Sequence, residues 1–230
     1  MRSSRRQARR GKVTVVVNLK NYPCDARKVA TSIEKNRNSN VHFILAPQTV
    51  ELSIAREFKG VEIFAQHCDA VDSEKSTGFI APFLLKKIGV KGTILNHSEH
   101  RLKVRELEEA FNLAKKHGLK VIVCVEKVSE IKKLAEKHSI VPEFFAIEPK
   151  ELIGSGVAIS REKPEIVKKA AEVVKELGVR SKLLCGAGIS SVEDIKASLE
   201  LGSSGVLIAS WVAKARKPEK VIEEIAWRIR

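Results

Sequence analysis

Eight short apolar runs, each followed by a longer stretch of helical periodicity, set the tightest limit on what this 230-residue chain can fold into. The runs are Val13–Val17, Val41–Leu45, Val61–Ala65, Thr93–Leu95, Leu119–Val125, Phe144–Ile147, Lys182–Cys185 and Gly205–Ala209. They are mostly apolar rather than alternating, the pattern of parallel strands covered on both faces. Between them, Leu102–Lys116 gathers Leu102, Leu107, Ala110, Phe111 and Ala114 on one face. Pro164–Leu177 opens on a proline suited to a first helical turn and stops before Gly178, and Glu219–Ile229 closes the chain. Eight β–α units in one chain predict an α/β fold, a single (β/α)8 barrel of eight parallel strands over residues 12–230. The main rival is an open, doubly wound sheet. It usually has fewer strands and a glycine-rich turn after the first, whereas here Asn18-Leu19-Lys20-Asn21 follows it.

No apolar run approaches the roughly 20 residues that span a bilayer, so no membrane partner is expected. Cys24, Cys68, Cys124 and Cys185 form no CxxC pair, and they read as reduced packing thiols of a cytoplasmic protein. The net charge is +14, and Arg2, Arg5, Arg6, Arg9 and Arg10 stand in the first ten residues without an acid. Residues 1–11 therefore read as a basic, disordered tail. A basic body suits anionic ligands, and equally a weak, salt-sensitive contact with nucleic acid. Aromatics make up only 5% and do not interleave with the basic residues, so base stacking, and with it a nucleic-acid partner, is not expected.

In such barrels chemistry sits where strands end. Asn18 and Lys20 follow the first run, Gln66 and His67 the third, and Asn96 and His97 the fourth. Glu148 follows the sixth, Gly186-Ala187-Gly188 the seventh, and Ala209-Ser210 closes the eighth. Taken singly, a glutamate or lysine is usually a solvated surface residue, and a histidine is as often structural as reactive. Their gathering at one rim favours function. Glu148, between FFAI and Pro149, is placed as a base whose proton affinity apolar walls would raise. His97 is expected at a helix N-terminus, where the partial positive charge keeps an imidazole neutral. Lys20 can balance a phosphate and a developing enediolate. Glycines at 186 and 188 free the backbone to turn its amides toward phosphate. The segment from Pro149 through Gly154, Ser155 and Gly156 reads as a hinged lid.

Asn18-Leu19-Lys20-Asn21-Tyr22, Ala46-Pro47-Gln48, Ala65-Gln66-His67, Asn96-His97-Ser98-Glu99-His100-Arg101, Ile147-Glu148-Pro149-Lys150-Glu151-Leu152-Ile153-Gly154-Ser155-Gly156 and Leu184-Cys185-Gly186-Ala187-Gly188-Ile189-Ser190 together resemble the triosephosphate isomerase family in its short archaeal form. The resemblance runs from about Val13 to the C-terminus and implies a TIM barrel. It implies Glu148 as the proton-transferring base, His97 as the electrophile, and Lys20 with Asn18 as substrate and charge-balancing groups. It further implies Ile153, Gly186, Gly188, Ala209 and Ser210 as substrate-contacting positions. Asn96 and a buried Glu99 would stand behind them. The implied substrate is dihydroxyacetone phosphate, interconverted with glyceraldehyde 3-phosphate in glycolysis and gluconeogenesis, with no metal or cofactor. A homodimer or homotetramer is implied, with contacts in the loop from His67 to Phe79. Trp211 departs from the pattern, since glycine usually follows Ala-Ser there. The alternatives are another phosphate-binding barrel isomerase or epimerase, and a non-catalytic barrel with a nucleic-acid-binding tail.

Overall fold

A computed structural model describes residues 12–149 and 158–229. Eight parallel strands close into one barrel in sequence order: β1 (Val13–Asn18), β2 (Val41–Ala46), β3 (Glu62–Ala65), β4 (Gly92–Leu95), β5 (Lys120–Val125), β6 (Phe144–Ile147), β7 (Lys182–Cys185) and β8 (Gly205–Ile208). β8 pairs back onto β1, with Thr14 opposite Gly205 and Val17 opposite Ile208. The open-sheet alternative is thereby excluded.

Helices wrap the outside: α1 (Ala26–Lys35), α2 (Pro82–Lys87), α3 (Val104–Lys116), α4 (Val128–His138), α5 (Ile159–Glu162), α6 (Pro164–Glu176), α7 (Val192–Glu200), α8 (Ser210–Ala213) and α9 (Pro218–Arg228). A 3-10 helix, Thr49–Arg56, stands after β2. Local chemistry explains the ends. The Asp25 carboxylate accepts from the amides of Arg27 and Lys28 and caps α1. Ser191 does the same for α7 through the Asp194 amide. In α3 the expected apolar face is buried through Leu107, Ala110, Phe111 and Ala114, but the helix starts at Val104, leaving Leu102 before it. β8 stops one residue short of expectation, and Ala209 caps α8 instead.

Alternate residues of each strand face opposite ways, so two cores form. Inside the barrel lie Val16, Ile44, Phe64, Ile94, Ile122, Cys124, Phe144, Ala146, Leu184 and Leu207. A larger cluster joins the outer strand faces to the helices. The four cysteines are buried and unpaired. No helix among the described residues is long and apolar enough to cross a membrane.

The β8–β1 seam depends on a glycine. A Cβ on Gly205 would stand 1.9 Å from the Thr14 carbonyl oxygen, which is backbone and cannot yield without parting β8 from β1. Gly205→Ala is therefore expected to lose more than about 3 kcal/mol of stability, the upper range for overpacking a core. Urea unfolding read by circular dichroism measures this.

Candidate active site

The strand ends carry the polar residues to one rim. Glu148 leaves β6 with its amide bonded to the Val125 carbonyl at 2.8 Å, which continues the β5–β6 ladder one residue further. Its side chain is 2% exposed, and neither carboxylate oxygen has a hydrogen-bond acceptor role filled within bonding distance. Burial raises its pKa to about 7, against the pull of the Cys124 thiol and the Lys20 and Arg101 cations. The Cys124 thiol is itself pushed well up by burial and by the neighbouring carboxylate. Gly186 makes room for this carboxylate: a Cβ there would lie 2.5 Å from Glu148 Cγ.

His97 faces Glu148, with Nε2 3.6 Å from Oε2. The Glu99 amide donates to His97 Nδ1 at 3.2 Å, so the proton of the neutral ring sits on Nε2, toward Glu148. Burial, then Lys20 and Arg101, push the imidazole pKa down to about 4, with Glu99 opposing. Neutrality thus arises, but not from a helix N-terminus. α3 begins only at Val104, and His97 opens a tight turn closed by the His100 amide on its carbonyl at 2.8 Å. Burial first, and then the neighbouring cations, take the place of a helix dipole.

Lys20 adopts a left-handed backbone, φ 48°, unusual for a lysine. Asn18 Oδ1 accepts from the Lys20 amide at 3.0 Å, and Gln66 Nε2 donates to the Lys20 carbonyl at 2.9 Å. The same Gln66 amide reaches the carbonyls of Ala46 and Pro47, tying the ends of β1, β2 and β3 together. Lys20 Nζ pairs with Glu99 at 2.7 Å. Glu99 was expected to be buried, but its side chain is 56% exposed, because the turn after β4 carries it outward over Lys20. Asn96 is buried and left-handed, φ 60°, and is held by the Cys124 carbonyl and the Leu102 amide.

Gly186, Gly188, Ile189, Ser190, Ala209 and Ser210 share one cavity with Lys20 and His97. Gly188 takes φ 70°, a conformation that frees this loop to turn sharply. Trp211 is not among the residues lining that cavity; it packs half-buried against the outer core. Pro149 stands at the described edge of the site, whereas Ile153, Gly154, Ser155 and Gly156 lie outside the described residues, as does the tail over 1–11.

Three supporting residues escape the sequence reading. Arg101 donates to the carbonyls of Asn96 and Cys124 and pairs with Glu126 and Glu130, joining the ends of β4 and β5. Asp194, 3% exposed, accepts from the amide of Ser190 at 3.0 Å and pairs with Arg161 at 2.6 Å, fixing the glycine loop. The Ser191-x-x-Asp194 capping pattern was a legible signal for Asp194; Arg101 stood only within the resembling Asn96–Arg101 segment with no role read for it, and Arg161 carried no signal.

The buried carboxyl has a consequence for stability. Because the folded-state pKa of Glu148 lies above its ordinary value of 4.5, its contribution is fully present below about 4.5 and lost as pH rises through about 7. His97 acts in the opposite direction, losing stability as pH falls from 6.5 toward 4, but equally in any Glu148 variant. Glu148→Gln should therefore gain on the parent protein between pH 5 and pH 8, measured as the difference in thermal midpoint at each pH.

A triosephosphate isomerase family model matches residues 13–225. The triosephosphate isomerase of Methanocaldococcus jannaschii is 38% identical over 218 residues, covering 92% of this chain and 97% of that protein. That of Methanosarcina mazei is 36% identical over 94% of this chain and 98% of its own length. That of Methanothermus fervidus is 37% identical over 92% and 96%. With the barrel closed and the glutamate, histidine and lysine at one rim, the chain belongs to the triosephosphate isomerase family.

Proposed function

We propose that this chain interconverts dihydroxyacetone phosphate and glyceraldehyde 3-phosphate, with Glu148 moving the proton. The observation that carries the reading is a buried, unpaired carboxylate facing the protonated nitrogen of a neutral imidazole at 3.6 Å. Glu148 takes a proton from the carbon beside the carbonyl, and the electron pair moves onto the carbonyl oxygen. His97 Nε2–H hydrogen-bonds that oxygen as its charge grows, and Lys20 offsets the negative charge. His97 Nε2 gives its proton to that oxygen and takes the proton of the neighbouring hydroxyl, and the carboxylic acid returns its own proton to the adjacent carbon as the carbonyl forms on the second oxygen. A pKa of about 7 suits both halves, since the group must accept and then release a proton near neutral pH.

The loop at Gly186 and Gly188, with Ala209 and Ser210, receives the phosphate; Asn18 and Asn96 hold Lys20 and the β4 turn in place. Pro149 would open the lid, and the remaining lid positions Gly154, Ser155 and Gly156, with the substrate contact Ile153, lie outside the described residues. Residues 12–230 form the catalytic domain and 1–11 a separate basic tail. The protein works in the cytoplasm, in glycolysis and gluconeogenesis, as a homodimer or homotetramer of the archaeal type. Phe79, 54% exposed in the loop after β3, supports a subunit contact there.

Inhibition by 2-phosphoglycolate, a planar carboxylate bearing a phosphate, tests the reading. Competitive inhibition of glyceraldehyde 3-phosphate turnover, lost in Lys20→Ala, is expected. Turnover indifferent to this mimic would point instead to another barrel isomerase or epimerase.

A further inference from the structure

The end of the barrel away from the candidate site is lined with lysines. Lys12, Lys91, Lys120 and Lys182 each stand at the first residue of a strand or just before it, in β1, β4, β5 and β7. Two grooves open there. One, of about 770 Å³, lies against the starts of β1, β7 and β8 and is lined by Lys12, Lys182 and Lys196, with Asn40, Ser203 and a single acid, Glu200. The other lies against the starts of β3, β4 and β5 and is lined by Lys59, Lys86, Lys91 and Lys120, again with one acid, Glu62.

These cations are mostly unneutralised. Glu62 is already shared between Lys120 and His42. The ammonium groups of Lys12 and Lys86 donate only to backbone carbonyls, of Arg37 and Gly118. Lys59, Lys91, Lys182 and Lys196 have no ion-pair partner among the described residues; Glu143 pairs with Lys115, and Glu34 lies against Gly60 at the edge of the second groove. Five arginines precede Lys12 in the sequence.

We propose that this face binds a nucleic-acid backbone. The closed strand order sets the grooves on opposite sides of the barrel axis, so one small phosphate can occupy only one of them. A phosphodiester chain, with charges repeated every few ångströms, meets both and releases counterions as it does so. Lysines act as point charges without the forked geometry that reads a base edge, and the chain is poor in aromatics for stacking. The contact is therefore to phosphate and independent of sequence. It leaves the opposite rim open to substrate.

Fluorescence anisotropy with a labelled 20-nucleotide RNA of mixed sequence, and DNA of the same sequence, titrated with KCl, tests this on the full-length protein. The full-length protein should bind both, with log affinity falling linearly with log salt. Lys91→Glu/Lys182→Glu/Lys196→Glu should bind at least about tenfold more weakly at 0.1 M KCl. Its slope should be shallower by about 2, three contacts at roughly 0.7 each. Its thermal midpoint and isomerase turnover should stay unchanged. Arg5→Ser/Arg6→Ser/Arg9→Ser/Arg10→Ser should weaken binding yet keep a salt-dependent remainder. The proposal is overturned by a triple variant that binds like the parent, or by loss of all binding in the tail variant, which would assign it to the tail alone. Displacement by free inorganic phosphate at equal phosphate concentration, which would mark a small-anion site, overturns it as well.

Discussion

Glu148→Asp is expected to lower kcat by about 10²- to 10³-fold while leaving the fold intact. The change withdraws the carboxylate by one methylene, and a misplacement of about 1 Å at a reacting group costs on the order of 10² in rate. The loss should appear in kcat rather than KM under the proposal that the loop at Gly186 and Gly188, and not Glu148, takes the phosphate. The walls around Glu148 keep the shorter side chain from being replaced by bulk water, since the residue is 2% exposed between β5, β6 and β7. Steady-state kinetics together with far-ultraviolet circular dichroism separate the two effects. Near-normal turnover in a folded variant would remove Glu148 from the role of base.

The second large effect comes from a residue with no chemistry of its own. In Gly186→Ala the new methyl would meet Glu148 Cγ at 2.5 Å and Oε1 at 2.6 Å. These are side-chain atoms, so the backbone need not move and the barrel should hold, at a cost of about 1–3 kcal/mol. What yields is the carboxylate itself, pushed off its line to His97 Nε2. A fall of about 10² in kcat is expected, with urea stability changed far less than in Gly205→Ala, where the clash is with backbone. A variant with unaltered kcat would mean that Glu148 reaches its working position from a different rotamer, without contact to Gly186.

Much of this was legible in the residues, for a physical reason. Strands buried on both faces must be apolar throughout, so each of the eight stood out as a run, and whatever polar residue ended a run had to lie at the rim. That logic located Asn18, Lys20, Asn96, His97, Glu148 and Gly186 on the structure. It misjudged their surroundings where a short turn replaced a longer element. His97 was expected to take its neutrality from a helix. Instead the turn through His100 delays α3 to Val104, and one amide sets the tautomer. The same turn carries Glu99 outward, so the expected burial failed.

The tethers were the least legible. Gln66 joins carbonyls 19, 20 and 46 residues away in sequence, and Arg101 reaches Glu126 and Glu130. Strand-end position and the resembling segments picked out these residues, but not their partners, which become neighbours only when the barrel closes. Asp194 was the exception in principle, since its capping position after Ser191 is a local pattern, but its bond to Ser190 and its pair with Arg161 required the fold.

Hydrogen exchange on the substrate shows whether Glu148 moves a proton on one face of it. Dihydroxyacetone phosphate incubated with the protein in D2O is followed by proton nuclear magnetic resonance at the hydroxymethyl carbon. A single fixed base predicts that one of the two hydrogens there is replaced by deuterium while the other stays, and that Glu148→Gln leaves both in place. Equal exchange of both hydrogens, or exchange in Glu148→Gln as fast as in the parent, would contradict it.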